Sequence, residues 1–500
     1  MKKIFASIFL GITVMGFSQQ TTIDDALGLA VDNLTGSARF RGMSGAFGAV
    51  GGDLSSININ PAGSIFFNHN VATITGSILT LNNNSNYFGK NTSSSDGTFD
   101  LNQVGAVFVF EDRNPKSDWK KIAFGLNYDN SNNYLNSIFS SGTNPNNSIG
   151  NYFLNFAQGN VPLNILNSVN YYDMSFSQQQ AFLGYDTYIF EPSSSSSSNT
   201  SYYTNIPTGG NYYQENKIST TGYNGKLSGN FSTIYKDIIS LGINLNAHFV
   251  NIRKNFSVYE SNSNTPYNTG STISEIIFDN QLYTTGNGFS FNLGTIIKVS
   301  KEFRLGLAYE SPTWYRLTDE LTQGVKTNSL NNPDNNPFPS SYHDPIVYLP
   351  YTIQTPGKWT GSLAYIHGKR GLLSVDVSSK DYTQTKFKPT GDYSNENNII
   401  SNSLKTAYEL RIGGEYKIKK VSLRAGYRYE QSPYIDTQVY GNLFGYSGGV
   451  GYNFGESRID VAYSHDQRDF AQALLSSGIT DTALINRKNN NVTISYTINF

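Results

Sequence analysis

The chain contains no cysteine. Disulfides, thiolate metal sites and a cysteine-linked lipid anchor are thereby excluded. It also has little charge. Asp, Glu, Lys and Arg make up 15% of its 500 residues, and the net charge is −1. Ordinary soluble domains carry about a quarter, and a near-neutral chain has no electrostatic footprint for nucleic acid. No run of about 18 apolar residues is present, so no transmembrane helix is available. Chemical motifs are missing as well. There is no zincin His pair, no phosphate-cradling Gly-Lys motif and no nucleophile-elbow pentapeptide. The histidines, His69, His248, His343, His367 and His465, are scattered. His465-Asp466 is a lone neighbour pair and reads as a solvated loop edge. Asn331 to Asn336 lacks the EF-hand pattern and reads as a flexible loop. No enzymatic activity, catalytic residue, metal site or cofactor is expected.

What the chain does have is aromatic rings and glycine: 14% aromatic residues, with 35 Tyr and 31 Phe, and 46 Gly. Tyrosine has an apolar ring and a polar tip, which suits the two interfacial girdles of a membrane barrel. The last ten residues alternate without a break. Val492, Ile494, Tyr496, Ile498 and Phe500 fall on one face, and Thr493, Ser495, Thr497 and Asn499 on the other. That is the pattern of a strand with lipid on one side and a wet lumen on the other.

Residues 1–18 read as a signal peptide: Lys2 and Lys3, the apolar Ile4 to Val14, and Gly16-Phe17-Ser18 as a cleavage site. Residues 19–69 differ from the rest. They open with a short helical stretch, Thr22 to Val31, in which Thr22 and Asp25 stand at capping-box positions. A segment with seven glycines follows, Gly36 to Gly63. It shows no strand-length alternation and is expected to pack as an irregular plug inside something else. From residue 70 to 500 the alternation predicts an all-β, 14-stranded antiparallel transmembrane barrel. The strands are expected at 70–82, 101–112, 119–130, 212–234, 237–259, 284–300, 302–317, 350–367, 371–384, 404–418, 420–431, 442–454, 457–467 and 490–500. Short turns alternate with long polar loops, as in bacterial outer-membrane proteins, and an even count places both chain ends on the short-turn side.

Strand 2 is apolar on both faces (Val104, Ala106, Phe108 and Phe110 against Gly105, Val107 and Val109), which suggests contact with a plug or an apolar ligand. An ordinary buried strand would look the same. The longest loop, 131–211, includes a low-complexity stretch, Ser193 to Ser198, expected to be mobile. It also carries apolar residues at helical spacing, and one or two amphipathic helices are expected over the outer mouth. Tyr152, Phe153, Phe156, Phe182, Tyr185 and Phe190 are candidate ligand-capture residues there. Arg304, Glu310, Asp376, Glu409, Arg411, Glu415, Arg424, Arg428 and Asp460 fall on the polar face of the strands. Unpaired charges in a crowded lumen are costly, so a paired network holding the plug is expected, with Arg39 and Arg41 as its plug-side partners.

The stretch Ala38 to Gly63, ending Gly51-Gly52-Asp53-Leu54-Ser55-Ser56-Ile57-Asn58-Ile59-Asn60-Pro61-Ala62-Gly63, resembles the N-terminal hatch of the FadL/OmpP1/TodX outer-membrane transporters, in the form found in Bacteroidetes-type bacteria. The Asn-Pro-Ala triplet stands shortly before the first strand, as in that family, and the strand count agrees. The resemblance implies passive transport of hydrophobic small molecules, long-chain fatty acids or hydrocarbons, across a Gram-negative outer membrane. Loops would capture the ligand, the hatch would gate it, and release would be lateral, into the bilayer. Arg39, Arg41, Asp53, Asn60, Pro61 and Ala62 would then be hatch and gating residues. A monomer in the lipid bilayer is expected. The resemblance also leaves open a surface-exposed shuttle of a secretion system that holds protein cargo.

Overall fold

The computed structural model describes residues 22–114, 116–268, 270–330, 338–479 and 481–500. The expected signal peptide and Asn331 to Asn336 lie outside them. Fourteen antiparallel strands close into one barrel. In chain order they are β1 Val71–Tyr87, β2 Lys90–Glu111, β3 Trp119–Asn133, β4 Tyr212–Tyr235, β5 Ile239–Asn262, β6 Ile273–Lys298, β7 Phe303–Glu310 (continued by Trp314–Ser329), β8 Lys358–His367 (preceded by Tyr351–Gln354), β9 Gly371–Asp381, β10 Thr406–Ile418, β11 Val421–Glu430, β12 Leu443–Asn453, β13 Ser457–Ala473 and β14 Thr482–Asn499. The ring closes where β1 pairs with β14, from Val71 opposite Asn499 to Asn86 opposite Leu484.

The alternation read from the sequence sets which side faces out. On β14, Val492, Ile494, Tyr496 and Ile498 are exposed, while Thr493, Ser495 and Thr497 are buried. On β11, Leu423 and Tyr427 point out, while Arg424 and Arg428 are buried. Rings gather at the short-turn end, with Trp119 against Tyr235 at 5.1 Å, Phe303 against Tyr365 at 5.1 Å and Phe108 against Phe500 at 6.0 Å. This is the aromatic girdle of a membrane barrel. β5 has 24 residues and β6 has 26. A tilted strand spans a bilayer with about 9–11, so the wall runs well past the apolar belt on the long-loop side.

Two connections differ from expectation. No long loop joins β1 to β2. Both strands run on as an arm, with β1 still paired to β14 as far as Asn86, and turn at Phe88 and Gly89, each with positive φ. The arm is rich in Asn, Ser and Thr, so it lacks the polar–apolar alternation that marks a membrane strand, although its backbone pairs just as well. The 131–211 segment first forms a strand, Asn136–Asn144, that pairs with β4. It then folds into α3 Gly150–Ala157, α4 Leu163–Ser168 and α5 Phe176–Asp186, three helices where one or two were expected. The serine run is the tip of a small hairpin, Phe190–Pro192 with Tyr202–Thr204. It is tied down by Ser193 N donating to Ser201 O (2.9 Å) and Asn164 N donating to Ser197 O (2.9 Å). These pieces share one core, with Ile149, Tyr152, Phe153, Leu183 and Phe190 buried against Phe278 and Val325 of the wall.

The chain before β1 occupies the lumen. It comprises α1 Ile23–Ala30, α2 Ala38–Arg41 and two 3-10 turns, Leu54–Asn58 and Pro61–Phe66. The expected capping box is present, as Asp25 N donates to Thr22 Oγ1 and Thr22 N to Asp25 Oδ2. Val107 of β2 packs with Leu54, Ile57 and Ile65, so the apolar inner face of that strand is a plug contact.

Candidate functional site

The plug is built from capped turns. Asp53 caps the first 3-10 turn, accepting from Ser55 N (3.0 Å) and from Ser37 Oγ (2.8 Å). Asn60 caps the second, accepting from Ala62 N at 3.1 Å, with Pro61 at the first position, where its missing N–H costs nothing. Asn60 Nδ2 then donates to Gly48 O (2.8 Å) and to Thr295 O of β6 (3.0 Å). The triplet thus locks the plug to itself and to the wall at one point.

The wall meets the plug with glycines. A Cβ on Gly242 would meet the backbone of Pro61 and Ala62, one on Gly294 would meet Asn60, one on Gly306 would meet Gly48 O, and one on Gly413 or Gly426 would meet Met43. Backbone-to-wall contact this close requires residues without side chains. Sequence reasoning missed these glycines, although they sit at inward positions on their strands, a signal that was present.

Charges complete the seat. Arg39 binds Glu415 at 2.9 Å, Glu415 binds Arg424 at 2.6 Å, and Arg424 binds Asp460 at 2.8 Å. Asp376 accepts from Phe47 N (2.9 Å) and Gly48 N (3.0 Å). Arg304 donates to Val50 O (2.8 Å) and stacks on Phe66. Glu409 pairs with both Arg411 and Arg428 at 2.7 Å. The paired reading holds for Arg39, Glu409, Arg411, Glu415, Arg424, Arg428 and Asp460, whereas Arg304 and Asp376 meet plug backbone instead of a counter-charge, and Arg41 departs from it as well. It is buried, its Nη2 reaches only Ser464 Oγ at 3.3 Å, and its Nε has no hydrogen-bond partner. The nearby carboxylates are engaged by amides. Asp466 accepts from Asn489 at 3.3 Å, and Asp100 accepts from Asn130 at 3.1 Å and Asn133 at 2.6 Å. Burial pushes the Arg41 pKa down, to about 10, which leaves it a cation at neutral pH.

Arg41 faces a cavity of about 560 Å³ on the long-loop side of the plug. Leu34, Leu79, Leu81, Ile138, Ile218 and Ile252 supply apolar lining. α1 lies across it. Asp32, just after α1, is clamped by Lys358 (2.7 Å) and Lys380 (3.1 Å), and Asp24 accepts from Tyr434 Oη (2.9 Å). Burial raises the pKa of Asp32, but the two ammonium groups outweigh it and hold the carboxyl well below its usual range. Burial pushes Asp24 up.

The cavity reaches a break in the wall. β2 pairs with β3 only from Gln103 opposite Asp129 to Glu111 opposite Lys121. Beyond Gln103, β2 continues to Lys90 without a ladder partner on that side. The β3 chain bends away and resumes at Asn136 beside β4. Side chains alone bridge the gap: Asn130 and Asn133 to Asp100, and Ser94 Oγ to Ser137 O at 2.7 Å. Asp100, Asn102, Asn130 and Asn133 all line the cavity. Outward residues on β2 at this height are apolar, with Phe99 69% and Leu101 46% exposed, so the break opens within the lipid-facing belt. A second, more open hollow of about 610 Å³ lies by Ser94, Phe139, Lys217 and Lys326 and shares Ile138 and Ile218 with the cavity.

Of the expected capture residues, Tyr152, Phe153 and Phe190 are buried in the core of the loop domain, and Phe156, Phe182 and Tyr185 are half-buried at its margin. His465 sits on β13 and contacts Asn490 Oδ1 at 2.8 Å.

A family model described as outer membrane protein transport protein (OMPP1/FadL/TodX) matches residues 196–498. Among solved structures, a Pseudomonas aeruginosa FadL homologue matches at 15% identity over 94% of this chain and 100% of that one, with a TM-score of 0.52. The P. putida toluene transporter TodX matches at 16% identity over 94% and 99%, with a TM-score of 0.51. At such identities the likeness is one of fold. No curated protein matches. A plug seated on inward glycines in a closed fourteen-stranded wall, together with a family match over most of that wall, places the chain in the OmpP1/FadL/TodX family of outer-membrane transport proteins.

Proposed function

We propose that this barrel carries hydrophobic small molecules, long-chain fatty acids or hydrocarbons, passively across the outer membrane as a monomer. The observation that carries the reading is the lumenal cavity that ends at a wall break within the apolar belt. The plug blocks a straight path, so the route runs from the open hollow past Ile138 and Ile218 into the cavity. It leaves sideways between β2 and β3. Asp53, Asn60, Pro61 and Ala62 act as the hinge and latch of the hatch on this reading, and the half-buried Phe156, Phe182 and Tyr185 offer the capture surface. An apolar chain burying about 300 Å² gains roughly 7 kcal/mol at about 25 cal/mol per Å², enough for micromolar binding before ordering costs.

The test staples the break. Ser94→Cys with Ser137→Cys, in a chain with no other cysteine, is expected to abolish uptake of labelled ligand into a transporter-deficient strain under oxidising conditions and to restore it on reduction. Uptake that is unchanged in the oxidised double variant counts against lateral release.

One observation favours a second reading, a surface shuttle for protein cargo. The β2 edge from Lys90 to Asn102 is unpaired, and an extended segment of another protein can add to such an edge. Co-purification of a secreted protein, lost when the arm is shortened, with no uptake of apolar ligand, is the result this reading expects.

A further inference from the structure

One carboxylate is sealed into the joint between the loop domain and the wall. Glu260 points inward from β5, opposite Gln214 of β4 and Ile276 of β6, and is 1% exposed. It stands about 35 Å along the strand from Phe249, the last exposed apolar residue of β5, and so outside the bilayer. Ser148 Oγ donates to one of its oxygens, and Ile149 N and Gln214 Nε2 donate to the other, both at 2.8 Å. Ser148 and Ile149 lead into α3, and Ile149 belongs to the core that seats the domain on Phe278 and Val325. Few titratable groups face this joint. Tyr87, at the end of β1, donates to Gln214 Oε1 at 2.6 Å, and Tyr212 of β4 donates to Pro207 O at 3.1 Å. Burial pushes both phenols up, so they stay neutral. Asp481, before β14, accepts from Asn144 at 2.9 Å and Asn147 at 3.2 Å. Glu215, Tyr259 and Glu275 have the opposite strand parity and face out. Among the described residues no Lys, Arg or His pairs with Glu260. Burial outweighs its three hydrogen bonds and pushes the carboxyl up to about 7.

The joint accommodates both protonation states. A protonated Glu260 turns its O–H to Ser148 Oγ, whose hydroxyl accepts as well as donates and already takes Gly150 N at 3.1 Å. The other oxygen keeps Ile149 N and Gln214 Nε2. The hydrogen bonds survive, so the two states differ by a buried charge without a counter-charge. We propose that Glu260 is a proton-operated clasp: protonation seats the loop domain over the mouth, and ionisation loosens it. With the domain lifted, the carboxyl meets water and titrates near its ordinary value, about 4.3. The seated state binds the proton more tightly. The clasp's contribution is therefore complete below that ordinary value and is lost as pH rises through about 7. Loosening frees residues 145–211 and bares Phe278 and Val325 beneath them, whatever the barrel carries.

The experiment is limited digestion of the full chain by proteinase K in non-ionic detergent, at about pH 5.5 and about pH 8. The cleavage rate within 145–211 is divided by that of the heat-unfolded chain at the same pH, which removes the protease's own pH dependence. The native ratio is expected to rise about tenfold or more from the lower pH to the higher. Glu260→Gln keeps the shape without the charge, so its ratio is expected to change by less than about twofold. A native ratio that stays flat or falls as pH rises overturns the clasp. So does a folded Glu260→Gln barrel whose ratio rises as the native one does. Heat-modifiable migration reports folding. If Glu260→Gln does not fold, Asp481→Asn takes its place. A rise that persists there supports Glu260, and a rise that disappears assigns the response to Asp481 and overturns the clasp. No ligand enters the measurement, so failure of the clasp leaves the transport reading untouched.

Discussion

Asp376 shows how single residues hold the plug. One carboxylate oxygen accepts from two plug amides, Phe47 N and Gly48 N. Asp376→Ala leaves two buried donors unpaired, at a cost of about 1–3 kcal/mol each, and is expected to raise hydrogen exchange at those amides while the barrel amides stay protected. The two carboxylates flanking α1 respond to pH in opposite senses. The Asp32 carboxyl has a lowered pKa in the fold, so its contribution to docking is present at neutral pH and is lost as pH falls through that lowered value. Asp24 has a raised pKa, so its contribution is complete below its unfolded value and is lost as pH rises through the folded one. Asp24→Asn removes that loss, and slower hydrogen exchange of α1 at neutral pH is the expected outcome. Strand parity gave Arg39, Glu415, Arg424 and Asp460 an inward direction, and paired charges followed from the cost of leaving them alone. Parity could not say that Asp100 and Asp466 would accept from asparagines, and so it could not show that Arg41 makes no ion pair among the described residues.

At the scale of elements, one acid adds a polar tie between the loop domain over the mouth and the wall on which its core packs. Glu260 of β5 accepts from Ile149 N (2.8 Å) and Gln214 Nε2 (2.8 Å), and from Ser148 Oγ. Glu260→Ala strands these buried donors and is expected to make residues 145–211 sensitive to protease, measured by limited proteolysis of the folded barrel, while the strands survive. The helices of this domain were legible because Tyr152, Phe153 and Phe156 recur at helical spacing. The arm formed by the outer halves of β1 and β2 was not legible. Outside the membrane both faces of a strand meet water or polar neighbours, so no alternation is imposed, and pairing of β1 with β2 beyond Leu81 rests on backbone hydrogen bonds. The bend in β3 was hidden for a similar reason: nothing in Asn130 to Asn136 distinguishes a strand that pairs from one that turns inward.

The molecule as a whole is a ring whose interior is closed by a separate body. Contact between the two is set by the glycines of β5, β6, β7, β10 and β11 as much as by the ion pairs. Gly294→Val places a branched side chain where Asn60 lies. The barrel is expected to assemble with its plug displaced, raising ion conductance in planar bilayers above that of the native protein; a conductance equal to native counts against tight seating of the Asn-Pro-Ala turn. The sequence by itself determined the fourteen-strand wall, its inside and outside, and the presence of an irregular glycine-rich body before it. These follow from periodicity, which the bilayer imposes residue by residue. Only the tertiary structure decided which wall residues touch the plug, that the β2–β3 ladder stops at Gln103, and that Arg41 and Arg468 line the same cavity. Those facts depend on strand register and on contacts between residues hundreds of positions apart, and no local pattern in the chain encodes either.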